Sequence, residues 1–398
     1  MRREPRLTPA LLTALGFITA VGPVAVDFYL PSFTDIGSDL GAGASAVQLT
    51  LTGFLVGVAC GQLLLGPLSD RLGRRRVLVA GMAVFALASA AMVFSPSIEV
   101  FVALRAVQGF AGAVGMVLGR AIAVDLAGPA KAVRPLSLIM TLVGLGPIVG
   151  PPVGGILAGV WGWRGTLGAM AVFAAMMFVL ALVVIPESLP PDRRARGGVG
   201  AVVRGLGGLL REPGFRGYLV AFALGFGALM AYLSASPFVA QVVLGLDPVE
   251  YGLTFAIGAS GMVVANLVNA AIAPRVGPRR MLAVGQGMLL GAGIVLVVLS
   301  AAGILQVWSF LALVIPLCAG TGLIMSNATA LALARADGRR GAGSALLGAG
   351  QFTTAAALSP LVGLAGEGTA VPMAVIVVTC GAIGILAAAR AARPRPPA

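Results

Sequence analysis

"SDRLGRRRVL" (residues 69–78) returns later in the chain as "APRVGPRRML" (residues 273–282). The glycine and three arginines of the two stretches coincide at an offset of 204 residues, and each stretch stands between two long apolar runs. A second pair, "FYLPSF" (28–33) and "AYLSASPF" (231–238), repeats at nearly the same offset. A fixed offset indicates internal repetition, so the sequence predicts two halves of the same architecture.

The apolar runs place both halves in a membrane. The hydrophobic fraction is 59%, charged residues make up 10% and the mean hydropathy is +1.01, which is too apolar for a soluble domain. A membrane-spanning helix needs about 20 mostly apolar residues. The candidates are 9–30, 46–68, 77–95, 98–122, 133–157, 164–185, 216–238, 250–272, 280–301, 306–332, 341–363 and 370–389. The expected fold class is therefore an all-α polytopic membrane protein, with 12 transmembrane helices in two pseudo-symmetric six-helix bundles.

The bundle boundaries follow from the spacing of these runs. The first run has a basic flank, as a signal peptide would, but it is too long, lacks a convincing small-residue cleavage site and leads straight into another span. It is therefore interpreted as helix 1. Residues 1–188 are expected to form the first bundle and residues 216–398 the second. Between them, residues 189–215 carry apolar side chains at helical spacing, which favours a cytoplasmic linker with an amphipathic helix on the inner leaflet. A disordered linker is the alternative.

The distribution of positive charge predicts the orientation. Of the 27 Lys and Arg residues, all but Arg105, Arg120 and Arg164 fall on the side of the two termini. The positive-inside rule therefore places both termini in the cytoplasm. The net charge of +13 is explained by this signal, with anionic lipid as its partner, and predicts no nucleic-acid binding. Arg outnumbers Lys 26 to one, which suggests a high-GC bacterial genome and hence a bacterial plasma membrane.

Several kinds of chemistry are excluded by composition. The chain has no His, so imidazole catalysis and the usual metal sites are not expected. Cys60, Cys318 and Cys380 lie far apart inside predicted spans and do not suggest a disulfide framework. We expect no cofactor, no metal and no enzymatic activity, because the spans lack a cluster of polar catalytic groups.

"GPLSDRLGRRR" (66–76) resembles the loop 2–3 signature of the major facilitator superfamily, whose members carry two parallel six-helix halves. The matching residues are Gly66, Asp70, Arg71, Gly73, Arg74 and Arg75. The resemblance implies an ion-pair lock at the cytoplasmic face, with Asp125 as the acid at the end of helix 4. The alternative is that cytoplasmic loops are basic in any case. Pro274 stands where the second half would need its acid, so the second lock is expected to be degenerate.

A second stretch, "LRAVQGFAGAVG" (104–115), resembles the helix 4 signature of the superfamily at Arg105, Gln108 and Gly109 and departs from it at Ala111, where the family usually has Gly. Helices 1 and 4 line the same half of the central cavity in that fold, so Arg105 could meet Asp27 of helix 1. An arginine that snorkels to the interface is the alternative.

A third stretch, "GLGPIVGPPVGGIL" (144–157), resembles the helix 5 signature of proton-coupled exporters. The matching positions are Gly146, Gly150, Pro151, Gly154 and Gly155. Glycines four residues apart let a neighbouring helix approach closely. "VDFYLPSF" (26–33), "YLSASPFV" (232–239) and "MSNATALAL" (325–333) extend the resemblance to the Bcr/CflA drug-resistance branch of the drug:proton antiporters.

Asp27 is the one acid that we place inside a predicted span. Ionising a carboxyl costs roughly 2.5–3.5 kcal/mol at the bilayer centre, whereas a nearby Arg105 would favour the charge. A carboxyl between these two influences can exchange a proton near neutral pH, so Asp27 and Arg105 are the predicted proton-coupling pair. A hydrogen-bonded structural Asp at the membrane edge is the alternative.

The predicted function is proton-coupled efflux of drugs or antibiotics by alternating access, driven by the proton gradient. Export of an endogenous metabolite or a self-made antibiotic is the alternative, and a monomer is expected. Polar or aromatic side chains within apolar helices suggest a substrate cavity, although each could equally be core packing. These residues are Tyr29, Gln48, Phe54, Met116, Tyr232, Asn266, Asn327 and Gln351.

Overall fold

The computed structural model describes residues 7–128, 133–191, 194, 207–336 and 339–392, and within them it contains helices and no strands. The α-helices are Pro9–Thr19, Val21–Asp27, Phe33–Asp39, Ala44–Leu72, Arg74–Val93, Ile98–Ala127, Val133–Val183, Pro213–Phe238, Pro248–Val276, Pro278–Ala301, Val307–Leu333, Arg340–Leu358 and Val371–Ala391. Short 3-10 helices at Leu30–Ser32 and Ser359–Ala365 and a π-helix at Val239–Val243 extend three of the membrane segments.

These helices account for the predicted spans. Ten are long and apolar enough to cross a membrane, and the bent pair at the N-terminus makes eleven. The helix Val133–Val183 has 51 residues, which corresponds to about 77 Å, more than twice the roughly 30 Å of hydrocarbon. It is broken at Gly162, where φ is 65°, so it supplies two spans. The described residues thus form twelve spans, numbered 1 to 12 in chain order below, and the predicted all-helical membrane fold is confirmed.

Span 1 differs from the continuous helix predicted over 9–30. Its first helix ends at Thr19, a second runs over Val21–Asp27, and the bend between the two parts is 40°. Pro23 contributes to the break because proline cannot donate a backbone hydrogen bond to the preceding turn. Asp27 is consequently the last residue of a short helix.

The helix Phe33–Asp39 prolongs the bent segment beyond the predicted end at residue 30 and carries Asp35 and Asp39. The carboxylate of Asp39 is half exposed and pairs with Arg164, while the indole of Trp163 donates to it over 3.1 Å. Arg164, one of the three arginines outside the basic side, thus has a local partner.

The two copies of the basic repeat fold alike. Gly73 has φ 102° and ψ 144°, and Gly277 has φ 92° and ψ 145°. Each glycine ends one span and directly precedes the next helix. Residues with a Cβ rarely adopt this backbone conformation, which explains why both copies carry glycine at the reversal.

The chain divides into two compact units. Unit 1 comprises residues 1–42 and 53–197, and unit 2 comprises 43–52 and 198–398. The division after residue 197 falls inside the predicted linker 189–215. The start of span 2 was expected in the first bundle, but 43–52 groups with unit 2 instead. There Gln48 donates to the Ser234 carbonyl over 3.3 Å.

Most of the predicted amphipathic linker helix lies outside the described residues, including Val199, Val202, Val203 and Leu206. Residues 207–210 are helical, with Leu209 buried and Leu210 exposed.

Candidate functional site

Asp27 is buried at the end of the second helix of span 1, with 3% of its surface exposed. Its Oδ2 atom has no hydrogen-bond partner in the part of the chain that the structure describes. Buried polar atoms in folded proteins are nearly always paired. An unpaired carboxyl oxygen in an apolar helix bundle therefore marks Asp27 as a functional candidate.

The glycines of the helix 5 signature pack directly on the segment that carries Asp27. A Cβ atom at Gly150 would lie 2.9 Å from the Asp27 Cβ, and one at Gly154 would overlap the Phe28 carbonyl oxygen. A Cβ at Gly146 would overlap Pro23. Glycines four residues apart share one helix face. In this chain that face of span 5 packs against span 1.

The other two members of the signature, Pro151 and Gly155, are buried in the same helix. The sequence predicted a closely packed neighbour for this helix but could not say which helix it is. The structure thus brings together two features that were predicted separately, the proton carrier and the glycine face.

Arg105 contacts the same short helix. Its Nη1 atom donates to the Ala25 carbonyl over 2.9 Å. Ala25 lies in the last turn before Asp27, where backbone carbonyls lack partners within the helix and cations are favoured. No ion pair within 4 Å joins Arg105 to Asp27 among the described residues. The two predicted members of the pair therefore meet through the backbone rather than as a salt bridge.

Arg105 is held from several sides. Its side chain is fully buried, so it does not snorkel to the interface. The Gln108 Oε1 atom accepts from Nη1, and Gln108 Nε2 donates to Ser89 over 2.8 Å. Ser89 in turn donates to the Phe85 carbonyl over 2.7 Å. This chain of hydrogen bonds ties span 4 to span 3, and sequence reasoning missed Ser89 because a single serine in an apolar helix carries no signal.

Two of the predicted cavity residues lie on the faces of Arg105. The guanidinium carbon is 4.2 Å from the centre of the Tyr29 ring and 4.5 Å from that of Phe54. Both rings are 1% exposed. Cation–π contacts of this kind stabilise a buried guanidinium, so these two residues form the immediate surroundings of Arg105. Met116 of span 4 is half-buried beside Gly22.

The remaining predicted cavity residues belong to unit 2. Tyr232 stacks on Phe255 with ring centres 5.8 Å apart, and Gln48 is buried at the start of span 2. Gln351 is half-buried in span 11.

Two side-chain hydrogen bonds join spans 8 and 10 of unit 2, and one partner of each was predicted. Asn327 donates to Asn269 over 2.8 Å, and Ser326 donates to Asn266 over 2.9 Å. Asn269 and Ser326 were missing from the predicted set. Their partners Asn266 and Asn327 were singled out because amides are rare in apolar helices.

The end of unit 1 at which the basic loop 66–76 lies carries the predicted ion-pair cluster. Arg74 lies between two carboxylates, 2.6 Å from Asp70 and 3.2 Å from Asp125. Arg75 points elsewhere and donates to the carbonyls of Leu182 and Ile185 over 2.7 and 2.8 Å. Spans 2, 3, 4 and 6 are joined at this end.

The other members of the loop signature have simpler surroundings. A Cβ at Gly66 would lie 3.7 Å from a Val117 methyl group, so this position faces span 4 without a clash. Arg71 is exposed.

Three members of this ion-pair cluster were not predicted. Glu187 accepts the backbone N–H of Arg74 over 2.9 Å, and a carboxylate is favoured at such a helix N-terminus. Ser69 accepts from Arg74 over 2.7 Å, and Ser188 donates to Asp125 over 3.0 Å. Glu187 stands 113 residues from Arg74, so local sequence gives no hint of the contact.

The basic loop of the second half forms no ion pair among the described residues. Pro274 replaces the acid, and Arg275 and Arg279 are exposed. In unit 2, Glu212 caps the N-terminus of span 7 by accepting the Phe215 N–H and lies 3.7 Å from Arg335.

The chain matches known proteins over nearly its whole length. The family model of the Major Facilitator Superfamily covers residues 15–360. An uncharacterized MFS-type transporter, YdgK of Bacillus subtilis, is 32% identical over 95% of this chain and 94% of its own length. A bicyclomycin resistance protein homolog of Haemophilus influenzae is 30% identical over 96% of both chains.

Solved structures agree on the fold. A bacterial homolog of the human lysosomal transporter Spinster has a TM-score of 0.74 at 15% identity, over 96% of this chain and 95% of that one. The family model, the relatives and the twelve spans lead to one conclusion: the chain belongs to the Major Facilitator Superfamily and is a multi-pass membrane transporter.

Proposed function

We propose that this transporter exports drug-like molecules in exchange for protons, with Asp27 as the proton carrier. One observation carries the proposal: the glycine face typical of proton-coupled exporters packs on the Asp27 segment, with the Gly150 Cβ position 2.9 Å from Asp27. The relative from Haemophilus influenzae named for bicyclomycin resistance supports drugs as the substrate class.

The surroundings of Asp27 suit reversible protonation. Its unpaired Oδ2 and near-complete burial make the carboxylate expensive, by roughly 2.5–3.5 kcal/mol at the bilayer centre. Arg105 of span 4 supplies a positive charge that favours the ionised form, because its guanidinium donates to the Ala25 carbonyl in the last turn of the helix that carries Asp27. Gain or loss of the proton then changes the net charge at the point where spans 1, 4 and 5 meet, which gives a physical means of biasing alternating access.

The energy of one proton is sufficient for export. Inward movement of one charge gains roughly 2.3 kcal/mol per 100 mV, and a difference of one pH unit adds about 1.4 kcal/mol. Together these maintain a concentration ratio of a few hundredfold across the membrane for a neutral drug. One carboxyl that exchanges one proton per drug molecule therefore meets the requirement, and no cofactor enters the scheme.

The ion-pair cluster of unit 1 is assigned to the cytoplasmic side. Arg74 of the basic loop bridges Asp70 and Asp125. The basic residues of this loop contribute to the predicted orientation, in which both termini lie in the cytoplasm of a bacterial cell. We assign to this cluster the role of a lock that breaks during the conformational change. A monomer is sufficient for the scheme, because Asp27, Arg105 and the lock come from one chain.

A resistance panel in a pump-deficient bacterial host tests the proposal. Expression should raise the inhibitory concentration of at least one amphipathic antibiotic, and an uncoupler should abolish both the resistance and the exclusion of that drug from cells. Resistance that persists in full with the uncoupler would refute proton coupling. If susceptibility is unchanged throughout the panel and the cells secrete a cellular metabolite instead, the substrate is an endogenous molecule and not a drug.

A further inference from the structure

Unit 1 has an apolar groove between spans 2 and 3 that encloses about 500 Å³. Its floor is formed by span 4, and all but one of its lining residues are apolar. Among the apolar ones are Leu68, Leu72, Ala80, Val84 and Phe110, and the exception is Arg76. Leu68, Leu72 and Val84 each expose more than 40% of their surface, so the groove opens outward along the helices.

The single charged residue, Arg76, marks one end of the groove. It lies in the first turn of span 3, three residues after the reversal at Gly73. Arg71 lies three residues after Leu68 and therefore on the same face of span 2. The charged end of the groove is thus the end at which the basic loop meets the membrane surface.

The four arginines of this loop divide into two pairs. Arg74 and Arg75 are engaged by protein groups, namely carboxylates and helix-end carbonyls. Arg71 and Arg76 are exposed and form no ion pair with any residue that the structure describes. Two free cations therefore flank the mouth of an apolar groove.

We propose that this groove holds one anionic phospholipid of the cytoplasmic leaflet, with an acyl chain between spans 2 and 3 and its phosphate at Arg71 and Arg76. At membrane depth the chain gains little from the hydrophobic effect, so its contribution is van der Waals packing against the leucines. The headgroup adds electrostatic attraction, which is about 1 kcal/mol per Lys or Arg near a charged surface. Charge complementarity selects a lipid over a second copy of this chain, because the groove offers cations and no acid.

Binding of phosphatidylglycerol to the purified full-length protein in detergent, followed by native mass spectrometry, tests the proposal. The variant Arg71→Gln/Arg76→Gln should bind this lipid about 30-fold more weakly, from the loss of two surface cations. Phosphatidylcholine should bind both proteins weakly and alike. The matched control is Arg275→Gln/Arg280→Gln, which removes the same charges from the equivalent loop of the second half, and it should retain wild-type affinity.

A second variant tests the acyl chain separately. Ala80→Trp fills the exposed groove while leaving both arginines in place, and it should weaken binding of phosphatidylglycerol by about tenfold, through lost packing. Its counterpart Ala90→Trp, also exposed and in span 3 but outside the groove, should bind as wild type does.

Equal affinities of wild type and Arg71→Gln/Arg76→Gln, or an equal loss in Arg275→Gln/Arg280→Gln, would overturn the proposal in favour of general attraction to basic loops. Ala80→Cys cross-linking to a second copy of the chain in native membranes would also overturn it, since the groove would then be a protein interface.

Discussion

Replacing Gly150 or Gly154 by Ala should separate span 5 from the Asp27 segment of span 1. At Gly150 the new methyl group would lie 2.9 Å from the Asp27 Cβ, and at Gly154 it would overlap the Phe28 carbonyl oxygen. Ordinary contacts between carbons are about 3.5–4.0 Å, so the helices must move apart by roughly 0.5–1 Å or more. Such overpacking costs about 1–3 kcal/mol.

The same helix supplies matched controls. Gly144 and Gly159 are helical, and a Cβ at either would meet nothing within 4 Å. Gly→Ala at these positions should stabilise the helix by about 0.5–1 kcal/mol. The thermal unfolding midpoint in detergent should therefore fall for Gly150→Ala and Gly154→Ala and stay level or rise for Gly144→Ala and Gly159→Ala.

Transport should follow the same division. In liposomes with a pH-sensitive dye inside, the two motif variants should dissipate an imposed pH gradient faster than wild type and export less drug. The control variants should match wild type in both assays. Equal stability, leak and export for all four variants would refute the reasoning, and the glycine face would then be ordinary helix packing.

Arg74→Gln removes the cation shared by Asp70 and Asp125; we expect transport to slow about tenfold, equivalent to about 1.4 kcal/mol, with drug binding in detergent preserved. Loss of binding at unchanged transport rates would contradict the assignment as a lock, and the exposed Arg279→Gln serves as the control. Ser89→Ala leaves the Gln108 amide unpaired in the core, which should cost about 1–3 kcal/mol of stability. Thermal unfolding measures this loss, and an unchanged midpoint would show that the Ser89 link contributes nothing.

The architecture was largely predictable because it depends on features that recur along the whole chain. Twelve apolar runs and a basic repeat at a fixed offset are strong signals, and Gly73 and Gly277 adopt the same positive-φ conformation. The sequence could not reveal the break in span 1, because a proline is tolerated both in the first turn of a new helix and within a bent one. Nor could it show that residues 43–52 pack with unit 2, since that depends on contacts rather than composition.

The candidate site was predictable in its residues and not in its contacts. Asp27 and Arg105 stand out because charges are costly in apolar helices. That Arg105 reaches the Ala25 carbonyl rather than the carboxylate depends on side-chain geometry. Glu187 was missed because its partner, the Arg74 N–H, is a backbone group that every residue but proline possesses.

The central claim is that Asp27 carries the coupled proton, and Asp27→Asn tests it most directly. The amide has nearly the same shape as the protonated carboxyl but cannot release a proton. In reconstituted vesicles the variant should still exchange labelled for unlabelled drug without an energy source, while uphill transport driven by an imposed pH gradient falls to background. Uphill transport at the wild-type level by Asp27→Asn would contradict the account.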